Sequence, residues 1–459
     1  MFRYQVPYRY YTIAKFGFGA AYLWYVFDLF RIHSAIWHNA AFPISAPDNL
    51  IFSGNVFLDA YLRPAAVALS GQTAVWILFI MSPFVVGLYL WGRHRLLQMA
   101  IGGWISLSMI LLNSLVGVFN STADIWVNLV FLAYGLSAMV QANGGWKTCE
   151  SGFSLAQWRA NPVLSSTFAW LVVLIQFCVY FFAGINKLVY GWTPWIHGLA
   201  LQNLAYDSSM RAFVRDISVP PLLAFLLGYL TLFQRLIVPF GFFLRRYRIW
   251  TVIILGSMHI GYAILMYVNL FPVIGLSCLA MVMPPVFSNV SHKKIHGRKK
   301  SQDAVSYRMQ PAGRISRGVL VIFSAWMLLE PLRLIKFPAT PWENKLMIVP
   351  AWRMFADGGA TAGEEWRLIL DTPQGPIDGT KIALGLLPQV WRDRFYIDDI
   401  LHEILIGNTG PGTLPEKLAA ATEHAYASSQ SLSNNAPTVL GSSFNIYRRK
   451  PVFEAGKSL

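Results

Sequence analysis

Residues 165–192 read SSTFAWLVVLIQFCVYFFAGINKLVYGW. About twenty apolar residues, from Ser165 to Ile185, give way at Lys187 to a segment rich in aromatics and glycine. A run of that length and composition is long enough to cross a bilayer as a helix. The lysine at its end has two readings. It is either a snorkelling residue, with its methylenes in lipid and its ammonium among headgroups, or an amine held by protein, where loss of water disfavours the charged form and makes a base.

The whole chain has the character of this stretch. Of its 459 residues 55% are hydrophobic and only 13% are charged, against about a quarter charged in an ordinary soluble domain. Mean hydropathy is +0.46. Lys and Arg number 37 against 22 Asp and Glu, but the surplus sits in short loops beside apolar runs, where the positive-inside rule accounts for it and a nucleic-acid partner does not. Cys149, Cys178 and Cys278 are scattered without CxxC spacing, so neither a thiol pair nor a metal–sulfur site is expected. His292 and His296, at i and i+4, lie in a basic loop that would repel a cation, and no metal is expected.

Apolar periodicity and breakers predict an all-α polytopic membrane protein with about nine transmembrane helices. Spans are expected at about 13–30, 72–91, 98–119, 125–141, 165–185, 218–240, 249–268, 271–287 and 318–334. Asn128 falls in the fourth, and His259 lies about halfway through the seventh. The first loop, 33–70, and the segment 188–217 are expected to form interfacial helices. The basic segments Arg93–Arg95, Lys147 with Arg159, Arg245–Arg248 and 293–300 all fall on one side if each span crosses once. That side, with the N-terminus, is expected to be cytoplasmic, leaving Lys187 and the C-terminus outside. Residues 1–335 thus make the transmembrane domain, and 336–459 a small outer domain and extended tail. Its stretch Glu364–Gly375 alternates and meets a turn, which predicts a strand and hairpin. No signal peptide is evident, so the first span is expected to stay in the protein.

The residues that could carry chemistry surround Lys187. Asn186 and Tyr190 flank it, and His259 is a polar ring inside an apolar span, which either finds a structural partner or serves a site. Asn128 is a further polar group that could line a common cavity. No phosphate loop, HExxH or nucleophile elbow is present in a suitable context.

The AGINKL run at 183–188, HIGYAILMYVNLFP at 259–272, the first span with its loop and WRMFADG at 352–358 together resemble the vitamin K-dependent gamma-carboxylase family and the bacterial HTTM-domain proteins related to it. The resemblance implies a bacterial inner-membrane protein with a periplasmic C-terminal domain. It also implies an enzyme in which reduced quinone is deprotonated by a lysine, matching Lys187, with a supporting histidine, matching His259. Asn128, Asn186 and Tyr190 are then the candidate cofactor-binding residues, a quinol the implied cofactor, and a peptide a possible substrate. The chain departs from the carboxylase at Asn186, where that family has another lysine, and in its much shorter outer domain. The second class of function is a non-catalytic accessory, maturation or structural subunit of a larger membrane-protein complex.

Overall fold

The computed structural model describes residues 4–37, 72–92, 94–116, 122–140, 153–190, 195, 220–266, 270–284, 314–336, 364–386, 414–430 and 440–448. The expected interfacial segments within 38–71 and 196–217, the basic run 293–300 and the WRMFADG run lie outside them, as does the side chain of Tyr190.

The described residues are mostly helical. Helices α1 (Tyr8–Trp37), α2 (Gln72–Trp91), α3 (Arg95–Val116), α4 (Thr122–Val140), the short α5 (Leu155–Ala160), α6 (Thr167–Tyr190), α7 (Pro221–Leu236), α8 (Arg248–Leu265), α9 (Phe271–Val282) and α10 (Arg314–Lys336) follow in order. Nine of these ten fall on the nine expected apolar runs, because in each run an unbroken apolar sequence leaves helix as the way to satisfy its own backbone. Among the described residues four segments are long and apolar enough to cross a membrane: Thr167–Val189, Pro221–Phe242, Arg248–Leu265 and Gly318–Lys336.

Two expected boundaries are corrected. The eighth run, expected to continue to Phe287, is helical for only 12 residues. Those residues cover about 18 Å, less than a hydrocarbon core of about 30 Å. The fourth run, expected from 125, begins its helix at Thr122, and Asp124 in that first turn is buried.

α6 is the axis of the bundle. Most of its length is buried, and α4, α7, α9 and α10 pack on it. α7 and α8 present Leu222, Leu226, Phe233, Trp250, Ile253 and Ile264 outward. An exposed apolar surface of that extent suits lipid rather than water.

One end of the bundle is clamped by contacts that span most of the sequence. β1 (Tyr4–Pro7) pairs antiparallel with β2 (Val163–Ser166), Tyr4 opposite Ser166. Arg9 Nε donates to the carbonyl of Trp158 at 2.8 Å. The Tyr4 hydroxyl donates to the Phe242 carbonyl at 2.6 Å, and the Arg248 guanidinium lies 3.9 Å over the Tyr4 ring. Ser154 N–H donates to Tyr8 Oη, and Phe153 N–H to the Leu90 carbonyl. The N-terminus, the Arg159 segment, the Arg245–Arg248 turn and the corner ahead of Arg95 are therefore joined at one end. These are the described members of the basic set expected to share a side. Burial pushes the Tyr4 phenol up from its ordinary range, against the smaller lowering effect of Arg248.

Past residue 336 a second, smaller set of elements is described. β3 (Glu364–Thr372) and β4 (Gly375–Asp378) form the expected hairpin, with Gly375 at φ 116° closing the turn where a Cβ would be strained. β5 (Gly441–Arg448) adds to the other edge of β3. Helices α11 (Thr380–Leu386) and α12 (Leu414–Gln430) accompany the sheet, with Leu368, Leu370, Ala383 and Leu418 buried.

Candidate functional site

The site is built on one face of α6. Residues 176, 180 and 187 recur at four and seven positions, so Gln176, Tyr180 and Lys187 project on the same side of a 3.6-residue helix. Tyr180 and Lys187 are two turns apart, about 10 Å along the axis. Both are buried; Lys187 is only 2% exposed, although it stands at the last turn of the helix. Its ammonium lies 4.5 Å from the centre of the Trp195 ring, a cation–π contact that covers it from the side of the following segment.

α8 delivers His259 to the same face. The Tyr180 hydroxyl and His259 Nε2 are 2.5 Å apart. Either tautomer satisfies that bond, and either leaves Nδ1 without a partner among the described residues. The ring is seated against Gly275 of α9: a Cβ there would fall within 2.1 Å of His259 Cε1. Glycine at 275 is therefore what allows α9 to approach α8 with an imidazole between them. Trp126 from α4, Phe271 from α9 and Tyr262, one turn on from His259 in α8, complete an aromatic wall, with ring centres 6.2, 5.0 and 6.3 Å from that of His259.

α7 adds a charge that the sequence reading missed. Arg235 is 2% exposed, its Nη2 donates to Tyr262 Oη at 2.8 Å, and its guanidinium carbon lies 5.4 Å from the centre of the Tyr180 ring. Gly184 makes this possible: a Cβ at 184 would come within 2.9 Å of Arg235 Cβ and of the Leu236 side chain, so α7 closes on α6 only over a glycine. The signal in the sequence is a lone arginine in PLLAFLLGYLTLFQRL. Reading the sixth span straight through to the Arg245–Arg248 run passes over it.

The expected residues are thus partly gathered. Lys187 and His259 both address the Tyr180 face of α6, Lys187 as a neighbour along the helix and His259 through a hydrogen bond. Asn186 is buried beside Lys187, one residue and about 100° round the helix from it. Asn128 is fully buried in α4. Trp126 of α4 lies with its ring tilted against His259, and two residues turn Asn128 about 200° round the helix from Trp126. Tyr190 ends α6, and its side chain lies outside the described set. Among the described residues no three metal-ligating side chains gather.

Chemically, the face offers an amine, an imidazole–phenol pair and a guanidinium, all withdrawn from solvent and lined by flat rings. Ionisable groups in such a place are costly to bury and mark sites of proton or ligand handling. Comparison of the chain with family models, curated proteins and solved structures finds no match.

Proposed function

We propose that the chain is an integral-membrane enzyme of the carboxylase-like, quinol-dependent oxidoreductase class, with Lys187 as the base. The observation that carries this reading is the burial of Lys187 on the same face of α6 as the Tyr180–His259 pair. A snorkelling lysine extends its ammonium to water; this one is folded under Trp195 at the end of the central helix.

The residues present suit a quinol. Trp126, Phe271 and Tyr262 would hold its flat ring, and Lys187 and His259 would face its polar groups. A bound quinol would supply two hydroxyl protons and two electrons, and dioxygen, taking up both electrons and both protons, would leave as hydrogen peroxide. Lys187, as the neutral amine, would take one hydroxyl proton at Nζ and pass it to the reduced oxygen. Tyr180 fixes the imidazole through Nε2, so that Nδ1 is held in one direction as a donor or acceptor for the oxygen. The aromatic wall keeps water from the exchange.

In this reading the protein lies in a bacterial inner membrane with about nine crossings. The clamped basic end is cytoplasmic, by the positive-inside rule, and the Lys187 end and the C-terminal domain are periplasmic. The outer domain is where a peptide substrate or a partner subunit would meet it.

The test is oxygen uptake by the purified full-length protein in lipid with a reduced menaquinone. Lys187→Ala is expected to abolish uptake while the protein remains folded. Lys187→Arg is expected not to restore it, because a guanidinium keeps its proton. Wild-type turnover in Lys187→Arg would remove the base assignment. No uptake by the wild type, with copurification of a stoichiometric membrane partner, would replace this reading by that of an accessory subunit.

A further inference from the structure

The guanidinium of Arg235 is buried inside the helical domain with most of its donors unused. Nη2 donates to Tyr262, while Nε and Nη1 have no acceptor among the described residues. Among the described residues no carboxylate pairs with it, and the ion pairs there are Arg333 with Glu330 and Arg367 with Asp378. Burying an unpaired cation is costly, and the ring faces of Tyr180 and Tyr262, at 5.4 and 5.8 Å, offset only part of that. The arrangement is nonetheless rigidly constructed, since Gly184 admits the arginine stem against α6 and Tyr262 orients its tip.

We propose that Arg235 anchors the carboxylate of an amphiphilic monoanion bound within the helical domain. The geometry of the guanidinium selects the head group. Nη2 carries two protons, one parallel to the Nε proton and one parallel to an Nη1 proton. Whichever of them Tyr262 accepts, the other and its parallel neighbour remain as an intact two-pronged edge. That edge matches the two oxygens of a planar carboxylate. A single buried guanidinium neutralises a single negative charge, which favours a monoanion. The surroundings select the body of the ligand: the rings of Tyr180, Tyr262, His259 and Phe271 adjoin one another around the arginine, and α7 and α8 face outward with apolar side chains. A ligand arriving here travels through hydrocarbon and needs an apolar tail. The inference depends on Arg235 alone and stands whether or not Lys187 is a base.

A phospholipid phosphate is also a monoanion, so the probes are matched in tail and differ in head: laurate, dodecanol and dodecylphosphocholine. Each is added to the full-length protein in phosphatidylcholine nanodiscs, and the midpoint of thermal unfolding is followed. Laurate is expected to raise the midpoint, and the alcohol and the phosphodiester are not. Laurate affinity should fall at least about tenfold in Arg235→Gln, the scale of one charge-assisted pair of hydrogen bonds. Equal shifts for laurate and dodecanol would overturn the carboxylate assignment, and a larger shift for dodecylphosphocholine would assign the site to a lipid headgroup instead. A second measurement needs no variant to fold. With carboxyl-labelled laurate on the wild-type protein, the bound carbon resonance should stay at its ionised position through the pH range in which laurate in protein-free nanodiscs takes up its proton. Titration along with the free lipid would refute an Arg235 partner.

Discussion

Tyr180 and His259 are 79 positions apart in sequence and share a 2.5 Å hydrogen bond between phenol oxygen and Nε2. The bond joins the central α6 to the outward-facing α8. Tyr180→Phe removes one partner and leaves a buried ring nitrogen unsatisfied, which costs about 1–3 kcal/mol. The expected result is a lower unfolding midpoint in nanodiscs, together with reduced turnover if His259 positions the substrate. An unchanged midpoint would mean that the bond contributes nothing to the fold.

Gly275 is predicted to be the most sensitive glycine near the site. A methyl there overlaps the imidazole of His259, so Gly275→Ala forces either the ring or α9 to move, at about 1–3 kcal/mol for an overpacked core. Gly261, in the same helix as His259, has open space around its Cβ position. Gly261→Ala is expected to be neutral or to stabilise by up to about 1 kcal/mol through helix propensity. Parallel melts of the two variants check the contrast, and equal effects would contradict the packing described.

The clamp at the basic end carries a pH dependence. Burial raises the Tyr4 phenol above its unfolded value of 10.0, so its stabilisation is fully present below about pH 10 and is lost as pH rises through the higher folded value. Tyr4→Phe is expected to lower stability at pH 7, since the Phe242 carbonyl loses its donor, and to lose less on going from pH 9 to pH 12 than the wild type. Unfolding midpoints across that range give the comparison. A wild type and variant that decline in parallel would remove Tyr4 from the account.

Orientation can be read by labelling. Cys178 and Cys278 are buried, so only Cys149 needs replacement, which spares the core two cavities. Single cysteines at Ser301 and Ser428 are then treated with an impermeant thiol reagent in intact cells. Labelling at 428 and protection at 301 are expected. The reverse pattern would invert the topology and place the Lys187 end in the cytoplasm.

Much of the helical domain is legible in the sequence because membrane helices answer to local rules. An apolar run such as 72–91 or 165–185 must satisfy its own backbone and so becomes helix wherever it lies. The expected and observed bounds of α2 coincide for that reason, as does the hairpin at 364–378, set by alternation and a two-residue turn. The positions of Lys187 and His259 were likewise visible as polar residues in apolar surroundings.

What the tertiary structure decided are the relationships between distant segments. β1 was not foreseen, since residues 4–7 become a strand only by pairing with 163–166. Arg235 carries no local mark that separates a buried guanidinium from a basic residue near a loop. Its role depends on Gly184, 51 positions earlier, allowing α7 to close, and on Tyr262, 27 positions later, accepting its proton. The length of α9 and the packing of Trp126 beside His259 are settled in the same way, by which faces meet when the bundle packs. Periodicity tells which residues share a face of one helix, and only packing tells what that face meets.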